Sequence, residues 1–232
     1  MDLRILSGGA AQGLVGALAK GFTAETGCDI DGTFGAVGAM RENLLAGAPA
    51  DLVILTAALV ADLEKAGHVR PGSATDLGIV HTGIAIREGD QRPAIDDAAS
   101  VREALLAADG IYVPDLTLST AGIHVARVLD TLGIRAQVES RLRVFPNGAT
   151  AMRELAAAKG RPIGCTQVTE IVITPGITLV GPLPKALALA TVYTAGLCTK
   201  AAQPDLAQRF IRMLAGASRE RALFGFSAAP SR

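Results

Sequence analysis

Two short glycine-rich turns hold the residues best placed for chemistry. Ser7-Gly8-Gly9-Ala10-Ala11-Gln12-Gly13 and Gly35-Ala36-Val37-Gly38-Ala39 each stand between a strand-like apolar run and a helix-like one. A small-residue turn ahead of a helix leaves backbone N–H groups unpaired, and such groups hold small anions. The same residues also serve any α/β protein where a helix packs closely on a sheet, so one turn alone decides little. Two in one chain point to an anion site. Titratable candidates are few. His81 suits proton transfer near neutrality, the alternative being a histidine bonded to facing backbone. Glu170, Asp115 and Cys165 are further possible bases or nucleophiles, although a cysteine in mid-strand is usually buried and inert. His124, one turn into its helix, reads as a packing residue, and His68, after a helix-ending glycine, as a surface one. Arg41 either pairs with a carboxylate or stays solvated on its helix face.

The elements that must position these residues follow from periodicity and punctuation. Strands are expected at 3–6, 28–34, 52–55, 79–87, 111–113, 142–145, 163–168, 177–180 and 187–198. Helices are expected at 12–26, 40–45, 57–66, 100–107, 121–132, 149–159, 204–215 and 219–223. Gly27 and Gly67 end two of the helices, and Ser119 or Thr120 can N-cap a third. Such alternation predicts an α/β fold with mostly parallel sheets covered by helices on both faces. The long runs 79–87 and 187–198 each break in apolar character, at a His/Thr and a Thr/Tyr pair. Strands of that kind carry a chain from one lobe to another and back, which places lobe 1 at 1–80 with 192–232 and lobe 2 at 81–191.

Composition narrows the function classes. The 232 residues carry 22 basic and 22 acidic side chains, so there is no basic footprint for nucleic acid and no polybasic membrane patch. Three scattered cysteines, Cys28, Cys165 and Cys198, give neither a disulfide framework nor a zinc site, and nothing calls for a metal or another cofactor. No apolar run approaches the roughly 20 residues of a membrane span, so no membrane insertion is expected. With Met1 as the native start the protein is expected in the cytoplasm. A chain trimmed of a leader would read the same and belong in the periplasm.

Taken together, the two turns, the loop Ala46-Gly47-Ala48-Pro49-Ala50-Asp51-Leu52 and the order of elements resemble the molybdate-binding family of type II periplasmic binding proteins. Ser119-Thr120-Ala121-Gly122-Ile123, Tyr193 with the apolar run after it, and Phe224-Gly225-Phe226 extend the likeness over essentially the whole chain. The resemblance implies two Rossmann-like lobes on a two-strand hinge, with a small anion in the cleft between them and, for an exported protein, a transporter permease as partner. It also implies two oxyanion-binding serines, and this chain has neither. Ala10 stands in the first position, and Ala36-Val37-Gly38-Ala39 replaces a serine run. Each lost hydrogen bond to a charged group is worth about 1.5–3 kcal/mol, so both together cost several orders of magnitude in affinity. Ser7 and Thr33 are the candidates for partial compensation.

By the same resemblance the ligand-facing residues are Ser7, Gly8, Gly9 and Ala10 in the first turn and Gly35, Ala36, Val37 and Gly38 in the second. Thr56, Thr82, Ser119, Thr120 and Ala121 join them, with Thr166, Gln167 and Tyr193. Small residues at both turns and neutral donors elsewhere suit an organic di- or tricarboxylate better than a tetrahedral oxyanion. The alternative is an isomerase on the same fold, similar to aconitate isomerase, with His81 and Glu170 moving the proton.

Overall fold

Short apolar runs alternate with helical ones, and the chain folds as that alternation requires. The computed structural model describes residues 2–228. The first elements are β1 (Asp2–Gly8), α1 (Gln12–Thr26), β2 (Asp29–Gly35), α2 (Val37–Leu45), β3 (Leu52–Thr56), α3 (Ala57–Lys65) and β4 (Thr75–Arg87). After them come α4 (Ala98–Ala107), β5 (Gly110–Pro114), α5 (Thr120–Thr131), α6 (Arg135–Val138), β6 (Leu142–Phe145) and α7 (Gly148–Ala157). The chain continues through β7 (Pro162–Gln167), α8 (Val168–Val172), β8 (Ile177–Pro182), β9 (Ala190–Leu197), α9 (Pro204–Gly216) and α10 (Ser218–Leu223). Gly27 closes α1 in the left-handed conformation, at φ 68°, where a side chain would be strained.

Three expectations need correction. The strand expected to reach residue 168 stops at Gln167, which becomes the N-cap of α8. The second helix begins at Val37, not at residue 40, because Ala36 is still extended and turns the chain into it. The long strand expected from 187 begins at Ala190, since Lys185–Leu187 forms a 3-10 turn directly after Pro184.

The structure divides into two compact units, one running to Val80 and resuming at Thr191, the other spanning His81–Ala190. In the first, the strand order is β2-β1-β3-β9, parallel except for β9. Leu3, Ile5, Leu52, Ile54 and Leu55 fill its core from β1 and β3. On α9, Ala207, Phe210, Ile211 and Leu214 recur at helical spacing and are buried. Phe210 meets Phe22 of α1 edge-on, with ring centroids 4.9 Å apart. Asp51, from the loop that marked the resemblance, is a buried brace. Its two carboxylate oxygens accept the backbone N–H groups of Arg4 and Gln203, each at 2.8 Å, joining β1 to the start of α9.

The second unit repeats the plan. Its order is β6-β5-β7-β4, with β4 antiparallel to β7 and β8 added along β4. Ile111, Val113, Val125, Leu129 and Ile163 lie at its core. In each unit the first parallel strand lies between the second and the third. The helices leaving the first and third strands therefore diverge, which opens a crevice at their carboxyl ends. Those ends are β1 with β3 and β5 with β7.

Candidate functional site

In the first unit Gly8, Gly35 and Thr56 end three neighbouring strands at one edge. Gly8 pairs in register with Gly35, and Thr56 with Tyr193 of β9. No side chain caps α2 at Ala36, nor the 3-10 turn Gly9–Ala11 that opens α1. Neither N-cap residue supplies an acceptor for the leading N–H groups of its helix, as suits an anion site. Gly8 permits a close approach: a Cβ there would lie 2.7 Å from Val37 Cγ1 and 3.0 Å from Tyr193 Cε1. The valine methyl therefore packs on the end of β1, beside the buried Ala10. This edge offers backbone N–H groups and an apolar wall.

Neither compensating hydroxyl is in place. Ser7 donates its proton to the carbonyl of Gly8 at 2.9 Å, and Thr33 is exposed on the edge strand β2. Thr56 does better. Its oxygen accepts the Leu59 N–H at 3.4 Å as the N-cap of α3, leaving its own proton for another acceptor. Tyr193 is buried, its ring edge-on to Phe226 with centroids 6.5 Å apart.

In the second unit Thr82 and Gln167 are register partners across β4 and β7, so their side chains share a face. Both are buried, 1% and 3% exposed, and neither Thr82 Oγ1 nor either polar atom of the Gln167 amide has a hydrogen-bond partner among the described residues. Buried polar groups are otherwise almost always bonded, so an orphaned amide in a native structure marks a place where something else is to be bound. Ser119 N-caps α5, accepting the Gly122 N–H at 3.4 Å, and Thr120 and Ala121 form the helix's first turn. A Cβ on Gly122 would collide with the Asp115 carbonyl, so only glycine lets α5 start this close to the end of β5.

The acidic candidates are engaged locally. One carboxylate oxygen of Asp115 accepts the Thr117 N–H and hydroxyl at 2.7 Å each and the Leu118 N–H at 2.8 Å. Those bonds hold its pKa below the ordinary value, which suits a loop clamp and disfavours a base. Glu170 is turned inward, where the Thr166 hydroxyl donates to its Oε2 at 2.6 Å. Burial pushes its pKa up, opposed by that bond and by the backbone N–H groups of Gln167, Ala149 and Gly148.

His81 lies one residue from Thr82 on β4 and hence on the opposite face of the strand. The fold thus brings Thr82 to Gln167 and Thr166 to Glu170, and keeps His81 off the face that Thr82 shares with Gln167. His124 donates from Nε2 to the Leu187 carbonyl at 2.8 Å, as a packing histidine does. His68 is half-buried, because its turn is tied down by Thr199 N–H bonding to its carbonyl at 2.9 Å. Cys165 is fully buried and its thiol is pushed up to about 12 by desolvation. Sequence reasoning missed Gly148 and Ala149, although Asn147 ahead of a helical period is an N-cap signal and does cap α7. Among the described residues no group of His, Cys, Asp and Glu could hold a metal ion, and no helix is long and apolar enough to cross a membrane.

Comparisons with known proteins agree with this architecture. The family model of bacterial extracellular solute-binding proteins matches residues 3–224. Aconitate isomerase from a Pseudomonas species is 25% identical over 227 residues, covering 95% of this chain and 85% of that protein. The Azotobacter vinelandii periplasmic molybdate-binding protein matches with a TM-score of 0.81 and 17% identity, over 98% of this chain and 99% of its own. The sulfate-binding protein SubI from Mycobacterium tuberculosis H37Rv matches with a TM-score of 0.75 and 15% identity, over 99% and 88%. The chain therefore belongs to the bacterial extracellular solute-binding proteins, in the type II periplasmic-binding fold of the molybdate-binding proteins.

Proposed function

We propose that this solute-binding protein takes a small organic carboxylate and not a tetrahedral inorganic oxyanion. The observation that carries the reading is the buried, unpartnered Gln167 amide beside the unpartnered Thr82 hydroxyl. An amide and a hydroxyl each donate and accept, which suits a ligand bearing carboxylate and hydroxyl or carbonyl groups. Within the first unit, the uncapped starts of α1 and α2 offer backbone N–H groups that suit a carboxylate, and Val37 packed on Gly8 is an apolar neighbour that suits carbon. As a transport receptor the protein would hand its ligand to a permease. A thermal-shift screen decides the ligand class, because a ligand bound only by the folded state raises Tm. Citrate or an aconitate isomer is expected to raise Tm, with molybdate and sulfate silent. The reverse pattern at micromolar oxyanion overturns the reading.

The aconitate isomerase likeness over 95% of the chain favours a second reading, an isomerase acting on a di- or tricarboxylate. Glu170 would then have to move a proton while leaving its Thr166 bond, and His81 would have to act from the face of β4 opposite Thr82. Deuterium incorporation from heavy water into aconitate, lost in Glu170→Gln or His81→Ala, supports the isomerase. Absence of exchange with a carboxylate that does raise Tm leaves a receptor.

A further inference from the structure

Glu170 carries its carboxyl to the point where β7 ends and α7 begins. Thr166 gives its hydroxyl to Oε2 at 2.6 Å, and that oxygen lies against Gly148, the first residue of the ten-residue α7. Gly148 makes room for this, since a Cβ there would overlap both Glu170 Oε2 and Thr166 Oγ1. The backbone of Glu170 is fixed as well, its carbonyl accepting the Thr174 hydroxyl at 2.8 Å. The side chain is 4% exposed, so solvent does not share the task.

We propose that the Glu170 carboxyl is a tether between the end of β7 and the start of α7, and that it serves as the positioning residue for the Gln167 amide. The argument is one of connectivity. Gln167 is the last residue of β7 and the N-cap of α8, and its own side chain makes no bond that would hold the turn. Its neighbours on either side of the turn, Thr166 and Glu170, are bonded to each other. The carboxyl therefore ties the end of β7, the start of α8 and the start of α7 at one point. Holding the backbone at Gln167 limits the directions in which its buried amide can point.

Chemical rescue tests the proposal in the full chain at neutral pH. Glu170→Ala removes the carboxyl and leaves its donors in place, so sodium formate should raise the Tm of that variant by several degrees and leave wild type unmoved, with sodium chloride at equal ionic strength as control. The Gln167 side-chain amide cross-peak, assigned by its disappearance in Gln167→Met, should shift in Glu170→Ala and return with formate. A cross-peak unmoved by Glu170→Ala, or a variant whose Tm ignores formate, overturns the proposal. If Glu170→Ala does not fold, Glu170→Gln serves: it fills the space but replaces the carboxyl with an amide. It should shift the cross-peak and lower Tm with no response to formate, and wild-type behaviour in both would refute the role. These readouts need no ligand, so failure of the carboxylate screen remains a separate result.

Discussion

Replacing Gln167 with methionine should stabilise the protein while removing ligand binding. The amide is 3% exposed and neither polar atom has a hydrogen-bond partner among the described residues, so the folded state bears a desolvation cost that no side chain or backbone group there offsets. Such a cost runs to about 1–3 kcal/mol, and a thioether of the same length fills the space without it. In a chain of this size 1 kcal/mol moves Tm by about 2–4 °C, giving a rise of about 2–12 °C for Gln167→Met. Urea and thermal unfolding without added anions measure the gain, and the citrate or aconitate shift measures the binding. A functional polar group kept at a cost in stability is what a binding site predicts. A lower Tm in Gln167→Met would refute the reasoning, because it would mean the amide has partners within the fold.

Asp51→Ala breaks two charge-assisted bonds of 2.8 Å to Arg4 and Gln203, worth about 3–6 kcal/mol together, and urea unfolding showing a loss under about 1 kcal/mol would contradict the brace. Cys165 and Cys198, both with thiols pushed up to about 12, should resist a disulfide reagent at pH 8 in the folded protein and react at once in denaturant; fast native labelling of either would show the burial is wrong. Asp115 is held below its ordinary value of 3.8, so its contribution to stability is present above that pH and lost as pH falls through the lowered value; Asp115→Ala should therefore flatten the acid limb of a stability-against-pH curve, and an unchanged limb refutes the clamp. Ala36→Ser supplies the side-chain cap that α2 lacks and should add about 0.5–2 kcal/mol, checked by thermal unfolding, with no gain refuting the view that α2 starts uncapped.

Much of the fold is legible because it depends on patterns that the chain repeats. Helix-ending glycines, apolar runs of strand length and the alternation of the two elements leave few alternatives, and Gln12–Thr26 and Leu142–Phe145 fall where periodicity puts them. Val168–Val172 is illegible for a physical reason. Five residues rich in β-branched side chains read as more strand, and only the tie between Thr166 and Glu170, made after the chain has folded, favours a helix there. The candidate site is legible by residue type and not by hydrogen bonding. Ser7 looks like a donor in the sequence, yet its proton goes to the adjacent carbonyl of Gly8. Gln167 looks like any glutamine, and what sets it apart is the absence of a bond.

The two units show why fold and ligand separate so cleanly. No sequence repeat links them, yet each places its first parallel strand between the second and third and adds an antiparallel strand beside the third. That plan makes Thr56 of β3 the counterpart of Gln167 of β7, and Tyr193 of β9 the counterpart of Thr82 of β4, since each pair is in register at the same edge. The topology specifies the four positions and leaves their chemistry open. Helix packing tolerates alanine at Ala10 and Ala36 as readily as serine, so nothing in the architecture resists a change of ligand there. What resists is local: Val37 packs closely on Gly8 and puts a branched apolar side chain at the end of β1. A return to oxyanion binding therefore requires removing that branch as well as restoring hydroxyls, which is why serine at Ala10 alone should leave the selectivity of this site unchanged.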